Sequence, residues 1–227
     1  MVINPNTMKH PISIIFSFFL FLATANAQVP KGMGKSDADA KKILDAVSAK
    51  FKGYKTVQAG FLLKIDNASG KSLGTKTGTV LMKATKYKIN AAGQEIFCDG
   101  STIWTYEKAS NEVTINKIDP TANSITPQKL FTNFYDKDFL YKLNGTVKEG
   151  AKNLQEIELT PIDKTKPFHK VLLYVDQSTI FTTKIFEKTG NRYTYSINNM
   201  KTGTAIPDDS FVFDAKKYPG VEVVDLR

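Results

Sequence analysis

The residues of this 227-residue chain that could do chemistry are few. Two carboxylate pairs come first. Glu156 and Glu158 share one face of a strand by simple alternation, and Asp208 and Asp209 are adjacent. General acid–base catalysis can use such pairs, but a pair without further partners is ordinarily a solvated surface feature, and both are read that way here. The chain has two histidines, His10 and His169, and His10 lies in an N-terminal leader. One remaining histidine excludes a histidine-rich metal site and leaves no partner set for a Ser-His-Asp arrangement. The single cysteine, Cys98, excludes an internal disulfide and reads as a small buried apolar residue on a strand. No C-x-x-C, phosphate-cradling glycine loop or H-E-x-x-H occurs. The sequence therefore predicts no enzyme, no metal and no cofactor. Asn67-Ala-Ser69 and Asn144-Gly-Thr146 match the glycosylation sequon, and in a bacterial protein they are chance matches in turns.

The ends and the charge give the setting. Lys9 precedes an apolar run from Ile12 to Leu22, and Ala25-Asn26-Ala27 supplies a small-x-small cleavage pattern. Residues 1–27 are expected to be a signal peptide cut after Ala27, too short in their apolar part for a comfortable span. No cysteine follows at the cut, so no lipid anchor is expected. The mature chain, 28–227, is expected to be one soluble domain outside the cytoplasm. Against 22 acidic residues stand 31 Lys and Arg, a net charge of +9. The lysines are scattered rather than clustered with arginine and aromatics, which disfavours nucleic acid. An anionic membrane surface approached transiently, or an acidic partner protein, suits this balance, as does a simply solvated surface.

The elements that must position these residues alternate between two periods. Ser36 reads as an N-cap with Asp37 and Asp39 in the first turn, and Ile43, Leu44, Val47 and Phe51 form one helical stripe that Gly53 ends. From Thr56 the period becomes two, and Val57, Ala59, Phe61, Leu63 and Ile65 share a face. Short strands follow, separated by turn signals such as Asn67–Gly70, Asp99-Gly100 and Asn144-Gly145. The same alternation pairs Val80 with Met82, Trp104 with Tyr106, and Val113 with Ile115. Thr126-Pro127 opens an aromatic-rich helical insertion containing Leu130, Phe131, Phe134, Phe139 and Leu140, either an end plug or a movable lid. The expectation is an α+β, mainly β fold with about ten or eleven antiparallel strands, an N-terminal helix and short lid helices.

The residues then show a resemblance. Gly78-x-Val80-x-Met82-Lys83, followed by Gln94-Glu-Ile-Phe-Cys-Asp99-Gly100-Ser-Thr-Ile-Trp104-Thr-Tyr106, resembles the outer-membrane lipoprotein carrier family, LolA. Thr126-Pro127 with Leu130 resembles that family's lid segment. Phe211-x-Phe213 with Pro219-Gly220-Val221-x-Val223-x-Asp225 resembles its C-terminal signature. The resemblance implies an unclosed antiparallel half-barrel and a periplasmic chaperone. Such a chaperone takes acylated lipoproteins from an inner-membrane ABC release complex and passes them to an outer-membrane acceptor. Proteobacterial members carry an arginine after the glycine-led strand that bonds the lid; here the place is held by Lys83-Ala84-Thr85-Lys86.

On this reading the acyl-chain cavity comprises Val57, Phe61, Leu63, Val80, Met82, Ile96, Trp104, Tyr106, Val113, Ile115, Leu173, Ile185, Tyr195 and Ile197. The lid comprises Leu130, Phe131 and Phe134. The alternative is a protein of the same fold that binds free lipid or glycolipid, or that senses lipoproteins rather than shipping them.

Overall fold

The computed structural model describes residues 36–118 and 135–227. The leader, Thr126-Pro127 and the lid candidates Leu130, Phe131 and Phe134 lie outside the described residues.

Helix α1 (Ala38–Lys52) starts one residue later than Ser36 would have it. Asp37 is the N-cap, its Oδ1 accepting from the Asp39 amide at 2.8 Å. Its Oδ2 also accepts from the Leu143 amide at 3.2 Å, and the Asp37 amide donates to the Tyr141 carbonyl. One carboxylate thus caps the helix and fastens it to a strand edge. These amide donors, with Asp39 first, hold its carboxyl below the ordinary aspartate range.

Twelve strands follow: β1 (Thr56–Asp66), β2 (Ser72–Lys83), β3 (Lys86–Ala91), β4 (Gln94–Cys98), β5 (Thr102–Glu107), β6 (Glu112–Lys117), β7 (Phe139–Glu149), β8 (Lys152–Pro161), β9 (Phe168–Asp176), β10 (Thr179–Glu187), β11 (Arg192–Thr202) and β12 (Glu222–Asp225). A four-residue helix, α2 (Tyr135–Asp138), leads into β7. The strands form one open sheet in the order β12-β6-β5-β4-β3-β2-β1-β11-β10-β9-β8-β7. Nearly every pairing is antiparallel and between chain neighbours, so short turns suffice. The exceptions are the long return that joins β1 to β11 and the parallel addition of β12 to β6. The C-terminal Glu222–Asp225 stretch is thus a twelfth strand, beyond the ten or eleven expected.

The sheet has two apolar faces, each covered in part. On the inner face α1 lays Ala40, Leu44 and Val47 against Ile157, Leu159, Val171, Leu173 and Val175 of β8 and β9. β9 is buried at five consecutive positions, Val171 to Val175, because Leu172 and Tyr174 pack on the outer face with Leu154. The segment after β11 crosses the outer face of β2–β6 and lays Phe213 and Tyr218 over Phe97, Tyr106 and Val113. Its two 3-10 turns, Asp208–Phe211 and Ala215–Lys217, bend it to that surface.

Candidate functional site

Register decides which side chains share the trough. Val57 faces Met82, Met82 faces Tyr87, Tyr87 faces Cys98, and Cys98 faces Ile103. One rung along, Ala59, Val80, Ile89 and Ile96 continue the inner face. On the other side of β1, Phe61 faces Ile197, and Leu63, Tyr195, Thr183 and Leu173 follow one another across four strands. Ile185 lies between Tyr193 and Val171. Val57, Phe61, Leu63, Val80, Met82, Ile96, Leu173, Ile185, Tyr195 and Ile197 therefore share the inner face, as the alternation predicts.

Trp104, Tyr106, Val113 and Ile115 do not join them. Ile96 faces Thr105, so Trp104 and Tyr106 point to the opposite side, and with them go Ile115 and Val113. The cause is the loop between β4 and β5. Asp99 Oδ1 accepts from the amides of Ser101 and Thr102, both at 2.8 Å, and Gly100 takes φ +100. The loop that results sets Cys98 opposite Ile103. A slip of one residue would have brought Trp104 over Ile96 and reversed every side chain of β5. On the outer face Tyr106 and Val113 are core, and Trp104 packs half-buried against them. Tyr106 and Tyr218 have ring centroids 4.4 Å apart, Phe213 lies 5.9 Å from Tyr106, and Val113 is fully buried.

The inner face adds residues that the sequence reading did not assign to the cavity: Tyr87, Ile89, Cys98, Ile103, Ile180, Met200, and Val47, Phe51 and Tyr54 from the end of α1. Ile89 was within reach, since it repeats Tyr87 at period two. Met200 was not, because a bulge in β11 between Asn198 and Lys201, with Asn199 at φ +49, turns it inward. Gly78 marks a close approach. A Cβ there would lie 2.2 Å from Phe61 Cζ, so the bare backbone is what lets the Phe61 ring lie across β2.

The trough has two unequal halves. Over β7–β10 it is filled by α1, held by Asp37, by Tyr135 Oη donating to Asp45 Oδ1 at 2.8 Å, and by Lys50 Nζ donating to the Gln177 carbonyl at 2.8 Å. Lys41 adds ion pairs to Asp45 and Asp136. Over β2–β5 Val80, Ile89, Ile96 and Ile103 are only half-buried. Between the halves the end of α1, β1, β2, β10 and β11 enclose an apolar cleft of about 30 Å³, lined by Phe51, Tyr54, Val57, Val80, Met82 and Met200 among others. That is room for a water or two, against several hundred Å³ for an ordinary small-molecule site.

Polar chemistry is sparse on this face. Burial raises the Tyr87 phenol and the Cys98 thiol, and it pushes Tyr195 up to about 12, so all three stay neutral at physiological pH. Among the described residues no group of three His, Cys, Asp or Glu could hold a metal. Glu156 and Glu158 do share a face, and Asn144 Nδ2 donates to both, at 2.9 and 3.4 Å. Asp208 is engaged by the lysines that stand in the family arginine's place. Lys83 Nζ lies 2.8 Å and Lys86 Nζ 2.9 Å from its carboxylate, and Lys83 also donates to the Ile206 carbonyl. The two lysines lower Asp208 to about 2. They fasten the C-terminal segment to the outer face of the sheet.

Comparison with known proteins is in keeping with this geometry. The model of the family described as outer membrane lipoprotein carrier protein LolA matches residues 52–214. An outer-membrane lipoprotein carrier protein of Cupriavidus necator is 28% identical over 173 residues, covering 73% of this chain and 80% of that protein. One from Pseudomonas putida is 27% identical over 173 residues, covering 74% of this chain and 80% of that protein. Among solved structures, an uncharacterized conserved protein from Thermus thermophilus superposes with a TM-score of 0.55 at 12% identity, covering 82% of this chain and 99% of that one, which shows a shared fold.

Proposed function

The chain belongs to the LolA family of outer membrane lipoprotein carrier proteins, and on that footing we propose that its inner face takes up the acyl chains of lipoproteins in the periplasm. The protein would shield them between an inner-membrane release complex and an outer-membrane acceptor. The observation that carries the reading is the half-buried inner-face group Val80, Ile89, Ile96 and Ile103 beside an apolar cleft with no charged side chain among its lining residues. Each buried methylene contributes roughly 0.8 kcal/mol, so a long acyl chain can be held on the order of 10 kcal/mol by contact alone. No covalent chemistry is needed.

The cleft with α1 seated is too small for such cargo. Uptake therefore widens it, and the side of the cleft best able to move is α1. It rests on the sheet through one apolar stripe and a few polar ties, whereas the opposite wall is continuous sheet. Conformational change that uncovers an apolar surface only when cargo is present also keeps the empty protein soluble.

Two measurements test the reading. Protein purified from its native host is analysed by native mass spectrometry; a bound triacylated peptide supports it, and a free lipid or glycolipid replaces it with the alternative of a lipid binder. Purified protein added to spheroplasts should release lipoproteins into the medium, and Met82→Glu and Ile96→Glu should abolish release. Release undiminished in both variants would remove the inner face from the function.

A further inference from the structure

The outer face of β9–β11 carries a charge arrangement that cargo binding does not use. Lys170, Phe186 and Arg192 lie side by side on three adjacent strands, Phe186 facing Lys170 on one side and Arg192 on the other. Lys170 Nζ is 4.6 Å and the Arg192 guanidinium carbon 5.8 Å from the centre of the Phe186 ring. One rung away on β10, Lys184 lies 4.6 Å over the Tyr174 ring and donates to its hydroxyl at 3.4 Å. Lys184 is thus a diagonal neighbour of both Lys170 and Arg192, at about 7–8 Å between backbones.

Three like charges at this spacing repel one another, and among the described residues none of the three forms an ion pair. Several other cations on the outer face are matched. Lys83 and Lys86 have Asp208, Lys88 has Glu95, and Lys152 has Asp176. The carboxylates nearest along the rungs, Glu156 and Glu158, sit on β8 and are tied by Asn144. Arg192 has one further bond, to the Ala68 carbonyl at 3.2 Å.

We propose that this patch seats the protein on an anionic bilayer surface, with the outer face of β9–β11 toward the lipid phosphates. The argument is charge complementarity and spacing. The cations spread across three adjacent strands on one face of the sheet. They therefore fit a field of many phosphates better than one enclosed anion. Two of the three are lysines, point charges suited to diffuse attraction rather than to forked recognition. Each ammonium lies over an aromatic ring, Lys170 on Phe186 and Lys184 on Tyr174, so rings and charges share one surface, as the residues at a headgroup layer do. The chain's excess of 31 basic over 22 acidic residues adds a long-range pull in the same direction.

The patch lies on the face opposite the trough, so this proposal stands apart from the cargo reading, and its test uses no cargo. Purified protein is floated with vesicles of phosphatidylcholine alone or with about one third phosphatidylglycerol. Partitioning should appear only on the anionic vesicles and should fall as salt rises. Each cation near the surface contributes about fivefold, so Lys170→Gln, Lys184→Gln and Arg192→Gln together should weaken partitioning at least tenfold. A control variant, Lys108→Gln, Lys117→Gln and Lys201→Gln, removes the same charge from exposed sites elsewhere and should weaken it much less. Absence of binding to anionic vesicles overturns the proposal, and so does an equal loss in the two variants. Circular dichroism confirms that both are folded.

Discussion

Leu44 is the residue on which the link between the fold and cargo uptake can be tested most directly. It is 1% exposed, at the centre of the α1 stripe, and packs into the cluster formed by β7–β10. Leu44→Ala removes three carbons, a transfer loss of about 2.5 kcal/mol at ~0.8 kcal/mol each. The cavity left behind brings the total to about 3–4 kcal/mol, within the usual range for such truncations. With a urea slope of about 2 kcal/mol per molar, the midpoint of unfolding should fall by about 1.5–2 M at unchanged slope. Lys42→Ala, on the exposed side of the same helix, should move it by less than about 0.5 kcal/mol equivalent. The second readout is affinity for a fluorescent fatty acid in the absence of urea. If cargo enters by lifting α1, weakening its seat by about 3 kcal/mol raises the lifted population about a hundredfold, until that state dominates. Probe affinity should then rise at least tenfold even as stability falls. A loss of stability below about 1 kcal/mol would refute the packing of α1. Full destabilisation with unchanged probe affinity would refute the idea that α1 is the part that moves.

Three further outcomes follow from particular contacts. Gly78→Ala should destabilise by about 1–3 kcal/mol, because its Cβ would overlap the Phe61 ring, and Phe61→Leu should recover part of that loss in a double-mutant cycle by urea unfolding. Phe213→Ala should cost about 3–5 kcal/mol and shift the emission of the single tryptophan, Trp104, to the red by admitting water to the outer-face cluster. Asp208, lowered to about 2 by Lys83 and Lys86, contributes stability that is present above its unfolded value of 3.8 and lost as pH falls through about 2. Asp208→Asn should therefore flatten the stability profile between about pH 4 and pH 2 while leaving its shape above pH 5 unchanged, as read by thermal unfolding across pH.

Much of the site was legible in the sequence, and the reason is local. The period of three and four in Ile43, Leu44, Val47 and Phe51 commits that stretch to a one-sided helix, and the period of two from Val57 to Ile65 commits the next to a strand. Within any one strand, alternation correctly grouped Val80 with Met82, Trp104 with Tyr106, and Val113 with Ile115.

What alternation cannot supply is the relation between strands. Whether Trp104 stands beside Ile96 or behind it depends on the loop at Asp99-Gly100, where three hydrogen bonds to one carboxylate oxygen fix the length. A residue more or less would exchange the faces, and strand periodicity is blind to that choice. The second apolar face was hidden for the same reason. Phe97, Tyr106 and Phe213 look like members of one amphipathic sheet until the chain's end is seen to fold back over the outside, pinned by the Lys83–Asp208–Lys86 clasp. The sequence by itself determined the helix, the strands, the apolar character of the chain and its family. Only the tertiary structure decided which apolar residues line the trough and which are outer core, because side-chain direction within a strand is set by the backbone, whereas the match of one strand to the next is set by turns and by long-range contacts.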